Sequence, residues 1–102
     1  MKGETMSENR PDGYNQHVVD QIQWERIHEP LRGALQRYIE HGVLFGDFLY
    51  AMLTNNLTMT FQKADSENVK KVQEILTFIY QELPGPCWGS EERVESWVKG
   101  FQ

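Results

Sequence analysis

Residues 48–53 read Phe-Leu-Tyr-Ala-Met-Leu, six apolar side chains in succession. At about 100° per residue, six positions pass right round a helix and leave no polar stripe. Such a helix must be buried on every side. In a chain of 102 residues that requires either a central helix wrapped by the others or a helix shared with a second subunit. Phe45 and Tyr50 add to the apolar excess, so a homo-oligomer is expected. Gly46-Asp47 and Asn55-Asn56 bracket the run and keep it too short to span a bilayer.

The rest of the chain supplies amphipathic helices. Pro30 suits the first helical position, and Leu31, Ala34, Leu35, Tyr38 and Ile39 recur at helical spacing up to Gly42, which predicts a helix over 30–41. Asp47 is a candidate N-cap for a helix over 47–55. Residues 57–62 alternate apolar and polar, the strand period, yet Leu53, Leu57, Phe61 and Ala64 also fit a helix. With no partner strand in sight, a helix broken near Asn55-Asn56 is favoured. A helix over 66–82, capped by Asp65 or Ser66, presents Val69, Val72, Ile75, Leu76, Ile79 and Leu83, and Pro84-Gly85-Pro86 stops it. Ser90 caps a last short helix with Glu91 and Glu92 in its first turn, docked by Val94, Trp97 and Val98. Residues 17–28 fit either a short helix or an extended arm laid over the core. Residues 1–16 are polar with Pro and Gly, too poor in apolar surface to offset ordering entropy, and read as a flexible tail before a single helical domain at 17–102. The fold class is therefore all-α: a small bundle of four or five helices around a central apolar helix, and oligomeric.

Composition narrows the function. The net charge of −5 disfavours direct nucleic-acid or anionic-membrane binding. The N-terminus lacks the apolar region of a secretory signal, and a lone cysteine, Cys87, fits a reducing cytoplasm. His17, His28 and His41 show no metal-ligand spacing, so no metal or other cofactor is expected. A helix–turn–helix over 34–56 fails because its second helix would carry no Lys or Arg. Gly42 and Gly46 lack the Lys and Ser/Thr of a phosphate-binding loop. Cys87 precedes a helix N-terminus, where a thiolate is stabilised, but a small buried residue in a tight turn explains it better. Asn55, Asn56, Asp65 and Asn68 are caps and turn formers by type. Neutral amides beside a helix N-terminus also suit a polar ligand. Arg37 would add charge, and Trp88 a flat face for a base or ring.

Four pieces of the chain carry a resemblance: Leu31-Arg32 leading to Arg37-Tyr38-Ile39-Glu40-His41-Gly42; Gly46 and Phe48-Leu49 with Leu53, Asn55 and Leu57; Ala64-Asp65 with Asn68; and Cys87-Trp88-Gly89-Ser90 followed by Trp97. Over about residues 27–99 the pattern resembles a group of short uncharacterised proteins associated with phages and prophage regions, though the N-terminal segment here is longer. The resemblance implies a small cytoplasmic accessory protein of the kind that counters host defences by binding; a non-enzymatic binding protein is favoured, and an enzyme with Cys87 as nucleophile is the third reading. Two targets follow. One is a small, partly anionic ligand such as a nucleotide-derived signal, held by Arg37, Asn55, Asn56, Asp65, Asn68 and Trp88. The other is a host nucleic-acid-binding or defence protein, blocked by an acidic inhibitor.

Overall fold

The computed structural model describes residues 9–44 and 46–102, and of Asn68 only the backbone. Phe45 and residues 1–8 lie outside the described residues. Among the described residues there are six α-helices and no strand: α1 (Gln16–Asp20), α2 (Leu31–His41), α3 (Asp47–Leu53), α4 (Leu57–Lys63), α5 (Ser66–Glu82) and α6 (Glu91–Lys99), with 3₁₀ turns at Trp24–Arg26 and Gly85–Cys87.

Local chemistry sets most of the helix ends. The Asn15 side chain accepts from the His17 and Val18 amides and starts α1. Gly42, left-handed at φ 70°, closes α2 by donating to the Tyr38 carbonyl, as a glycine just past a helix end does. Ser90 starts α6 by accepting from the Arg93 amide. The expected cap of α3 moves by one residue: Gly46, at φ 93°, occupies the cap and Asp47 is the first helical residue. Asp47 is left to face Lys63 of α4 at 3.6 Å, an exposed pair that contributes little.

The 17–28 region combines both readings, a one-turn helix followed by an arm. Arg26 bonds to Glu82 at 2.6 Å and to Gln81 at 2.8 Å, and Trp24 packs on Phe78 with ring centroids 5.7 Å apart. Arg32 of α2 grips the arm from the other side, its Nε donating to the Trp24 and Ile27 carbonyls. Ile22 and Ile27 are thereby buried.

The core gathers Leu35, Tyr38 and Ile39 of α2, Leu49, Met52 and Leu53 of α3, Ile75, Phe78 and Ile79 of α5, and Val94 and Trp97 of α6. Each large apolar side chain buried this fully contributes about 1.5–3 kcal/mol before entropy is counted. In α3, Leu49, Ala51, Met52 and Leu53 are buried within the one chain, and Phe48 and Tyr50 are half-buried. The apolar run thus finds most of its cover without a second subunit. Two residues expected on the inner stripe of α5 differ: Val69 is exposed and Leu76 half-buried, while Phe78 is buried.

The segment before α1, expected to be a tail, is laid against α6 from residue 9 onward. Pro11 is buried, Tyr14 packs on Trp97 and Phe101 at 5.7 and 5.9 Å, and the Asn9 side chain donates to the Gln102 carbonyl at 2.7 Å. This strap forms one wall of the largest cleft described below.

Candidate functional site

Of the residues nominated from sequence, Asn55 and Asn56 have structural duties. Asn55 takes the left-handed conformation, φ 64°, in the turn after α3. Asn56 caps α4, its side chain accepting from the Met59 amide at 3.0 Å. Asp65 is exposed just ahead of α5, and its carbonyl accepts from the Val69 amide. The Asn68 side chain lies outside the described residues. Arg37 is exposed on α2. Trp88 is half-buried and meets Tyr80 edge to face at 5.6 Å. One convergence is real: the Gly89 amide donates to the Leu53 carbonyl at 2.7 Å, which sets the Trp88 turn beside the end of α3.

Cys87 is fully buried, and burial pushes its thiol up to about 12. A thiol that stays protonated at neutral pH and is closed to solvent is no nucleophile. Its carbonyl accepts a 2.6 Å bond from the Tyr38 hydroxyl, so the turn is a piece of core architecture. Among the described residues no three His, Cys, Asp or Glu side chains gather as metal ligands, and no helix is long and apolar enough to cross a membrane.

The largest cleft, ≈880 Å³, runs between the N-terminal strap and α6. Its lining includes Arg10, Arg93 and Lys99 against Asp12 and Glu92, with the Ser96 hydroxyl and apolar walls from Pro11, Pro86 and Trp97. Cations outnumber carboxylates there, although the chain as a whole carries −5. Arg10 is steered by stacking over the rings of Tyr14 and Phe101, 5.3 and 5.8 Å from their centroids, a favourable cation–π arrangement. Arg93 donates through Nη1 to the Gly85 and Trp88 carbonyls at 3.3 Å. A guanidinium carries five N–H donors, so others stay available. The Trp97 indole N–H is buried without a hydrogen-bond partner among the described residues. None of the six nominated residues lines this cleft. Its residues lie some eighty positions apart in sequence, and no local motif could have flagged them.

A second groove, ≈640 Å³, lies between residues 42–44 and Gly46 on one side and α3 and α6 on the other. Leu44, Tyr50, Val94 and Val98 give it apolar lining, and its charged residues are Asp47, Glu95 and Lys99, two carboxylates against one cation. Burial, and then Glu91 and Glu95, raise the Tyr50 hydroxyl above its ordinary value.

No family model matches the chain, and neither does any curated protein or solved structure.

Proposed function

We propose that the protein is a non-enzymatic binding protein that captures a small anionic ligand, nucleotide-like in size and chemistry, in the cleft between the strap and α6. One observation carries the reading: three cationic side chains, Arg10, Arg93 and Lys99, converge on an ≈880 Å³ cleft in an otherwise acidic chain. Ligand sites of this kind hold roughly 300–1,000 Å³, which suits a mononucleotide. The cations would hold phosphate, the Ser96 hydroxyl would accept or donate to a sugar or phosphate oxygen, and the exposed Pro86 ring would lie against an apolar part of the ligand. In keeping with the phage-type resemblance, the captured ligand would be a defence signal, sequestered by an accessory factor of the host cytoplasm.

Calorimetric titration with 5′-AMP and with inorganic pyrophosphate tests the reading. Binding should weaken about tenfold in Arg93→Gln, the scale of one charged hydrogen bond, and more mildly in Ser96→Ala, with little change in melting temperature for either. No heat with either probe, or equal affinity in both variants, would reject the cleft as the site.

The groove beside α3 favours a second reading, an inhibitor of a host nucleic-acid-binding protein. Apolar lining with two carboxylates, Asp47 and Glu95, against one cation, Lys99, fits a segment that alternates apolar and basic residues. A synthetic Leu/Arg peptide should then bind the wild type and lose affinity to Glu95→Lys; indifference to that change would remove this reading.

A further inference from the structure

The strap–α6 cleft is not a feature of the helical bundle alone. Arg10, Pro11 and Asp12 of the strap form one side, and Glu92, Arg93, Ser96 and Lys99 of α6 form the other. One of its three cations is therefore in place only while the strap is docked. Few contacts hold the strap there. Pro11 is buried in a slot that exists because Gly100 has no side chain, since a Cβ at Gly100 would overlap the Pro11 backbone. Gly13 allows a like approach to Pro86, whose Cγ would stand 2.6 Å from an added Cβ. Tyr14 meets the Trp97 and Phe101 rings, and the Asn9 side chain donates to the Gln102 carbonyl. Among the described residues no main-chain hydrogen bond joins residues 9–14 to α6; the Tyr14 amide donates within the strap, to the Pro11 carbonyl at 3.0 Å. A segment tied down in this way opens locally at a lower free energy than the packed helices do.

Resting on the reading of this cleft as an anion site, we propose that the strap is a clasp whose docking is coupled to anion capture, with Tyr14 as the positioning residue that holds Arg10 at the cleft. The cations stand on both sides of the cleft. An anion that pairs with Arg10 and with Arg93 or Lys99 ties the strap to the bundle. It therefore binds the docked state better than the undocked one, and by linkage a docked strap raises affinity by the same factor that ligand favours docking. The affinity observed is the intrinsic one scaled by the docked fraction.

The aromatic contacts tie charge placement to docking. The Arg10 guanidinium carbon lies 5.3 Å from the Tyr14 ring centroid and 5.8 Å from that of Phe101. Neither ring is part of the cleft lining; both hold the cation from behind, through the negative face of the ring. Tyr14 in turn packs on Trp97, which does line the cleft. One side chain thus fastens the strap to α6 and fixes where its arginine stands.

Native-state hydrogen exchange of the full chain, read beside calorimetry with inorganic pyrophosphate, is the test. Without ligand, the Tyr14 amide should be protected at least about tenfold less than that of Ile79 in the core of α5, because it exchanges through strap opening. At a pyrophosphate concentration about 100 times its Kd, Tyr14 exchange should slow by at least about tenfold, towards the roughly 100-fold limit that mass action sets. Tyr14→Ala should weaken pyrophosphate binding about tenfold, and Tyr14→Phe, which keeps the ring and gives up the hydroxyl bond to Gln16, should restore it. In an Arg10→Gln background Tyr14→Ala should cost less than about twofold more, since it acts through Arg10. Heat of binding with an unchanged Tyr14 amide would overturn the clasp and leave the cleft as the site; no heat at all would overturn both. Tyr14 protection equal to that of Ile79, or a Tyr14→Phe as weak as Tyr14→Ala, would also overturn the clasp. The exchange measurement uses the wild type, so it decides even where Tyr14→Ala does not fold.

Discussion

Gly100 sits at the closest approach between α6 and the N-terminal strap. A Cβ added there would overlap the backbone of Pro11, whose nitrogen would be 2.7 Å away with its Cα nearer still. Because backbone atoms are met, no rotamer change relieves the contact. The conformation of Gly100 itself, φ −65° and ψ −16°, is one that alanine prefers. Gly100→Ala therefore sets two effects of opposite sign against each other. Overpacking costs about 1–3 kcal/mol, and replacing glycine by alanine where the backbone is already right-handed gains about 0.4–1 kcal/mol by restricting the unfolded chain. In the full chain the first should win, with a net loss of about 1–2 kcal/mol by urea unfolding. In a chain that starts at Tyr14 the clash is gone, and the same substitution should stabilise by up to about 1 kcal/mol. This reversal of sign is the signature of a docked strap. The same destabilisation in both chains would refute the reasoning, because the cost would then arise within α6.

Tyr38→Phe removes the buried 2.6 Å hydrogen bond to the Cys87 carbonyl and should cost about 1–3 kcal/mol in urea unfolding, the penalty for a buried carbonyl left unpaired. Burial raises both the Cys87 thiol and the Tyr38 phenol above their ordinary values, so the folded state holds these protons longer than the unfolded one. For Cys87 the stabilisation is complete below the ordinary value of 9.0 and is lost as pH rises towards about 12; a pH series of melting temperatures should fall across that window, and less steeply in Cys87→Ala. Asn56→Ala deletes the α4 cap and should cost about 0.5–2 kcal/mol by the same urea assay, with no effect on 5′-AMP binding if the ligand sits in the strap–α6 cleft.

The elements that could be read from sequence are those whose signals are local. α2 runs up to a left-handed glycine, α5 ends at Glu82 just ahead of Pro84, and α6 starts from a serine that does cap it. The preference for helix over strand at 57–62 rested on the missing partner strand, and α4 with its break at Asn55-Asn56 agrees. What was not legible depends on how elements are turned toward one another. Leu57 and Phe61 fit an inward stripe by spacing alone, yet α4 is rolled so that Thr60 faces in. The strap is held by Pro11 and Tyr14, two residues with no period, so a polar composition concealed it. The cleft escaped for the same reason: Arg10 and Arg93 become neighbours only once the strap has docked on α6. Asn55 and Asn56 stood out as polar residues beside an apolar run, and turn chemistry is what places them there.

The three tryptophans give three indole N–H signals, and they report on different places. Trp97 walls the strap–α6 cleft, Trp88 lies by the end of α3 against Tyr80, and Trp24 packs on Phe78. An amide and indole chemical-shift titration of ¹⁵N-labelled protein with 5′-AMP therefore tests both whether a nucleotide-like ligand binds and where. The account predicts that the Trp97 indole and the Arg93, Ser96 and Lys99 amides move in a saturable, concerted way while Trp24 and Trp88 stay still. A spectrum that does not change would contradict ligand capture, and movement centred on Trp88 and Asn55 would contradict the cleft by returning the site to the end of α3 beside the Trp88 turn.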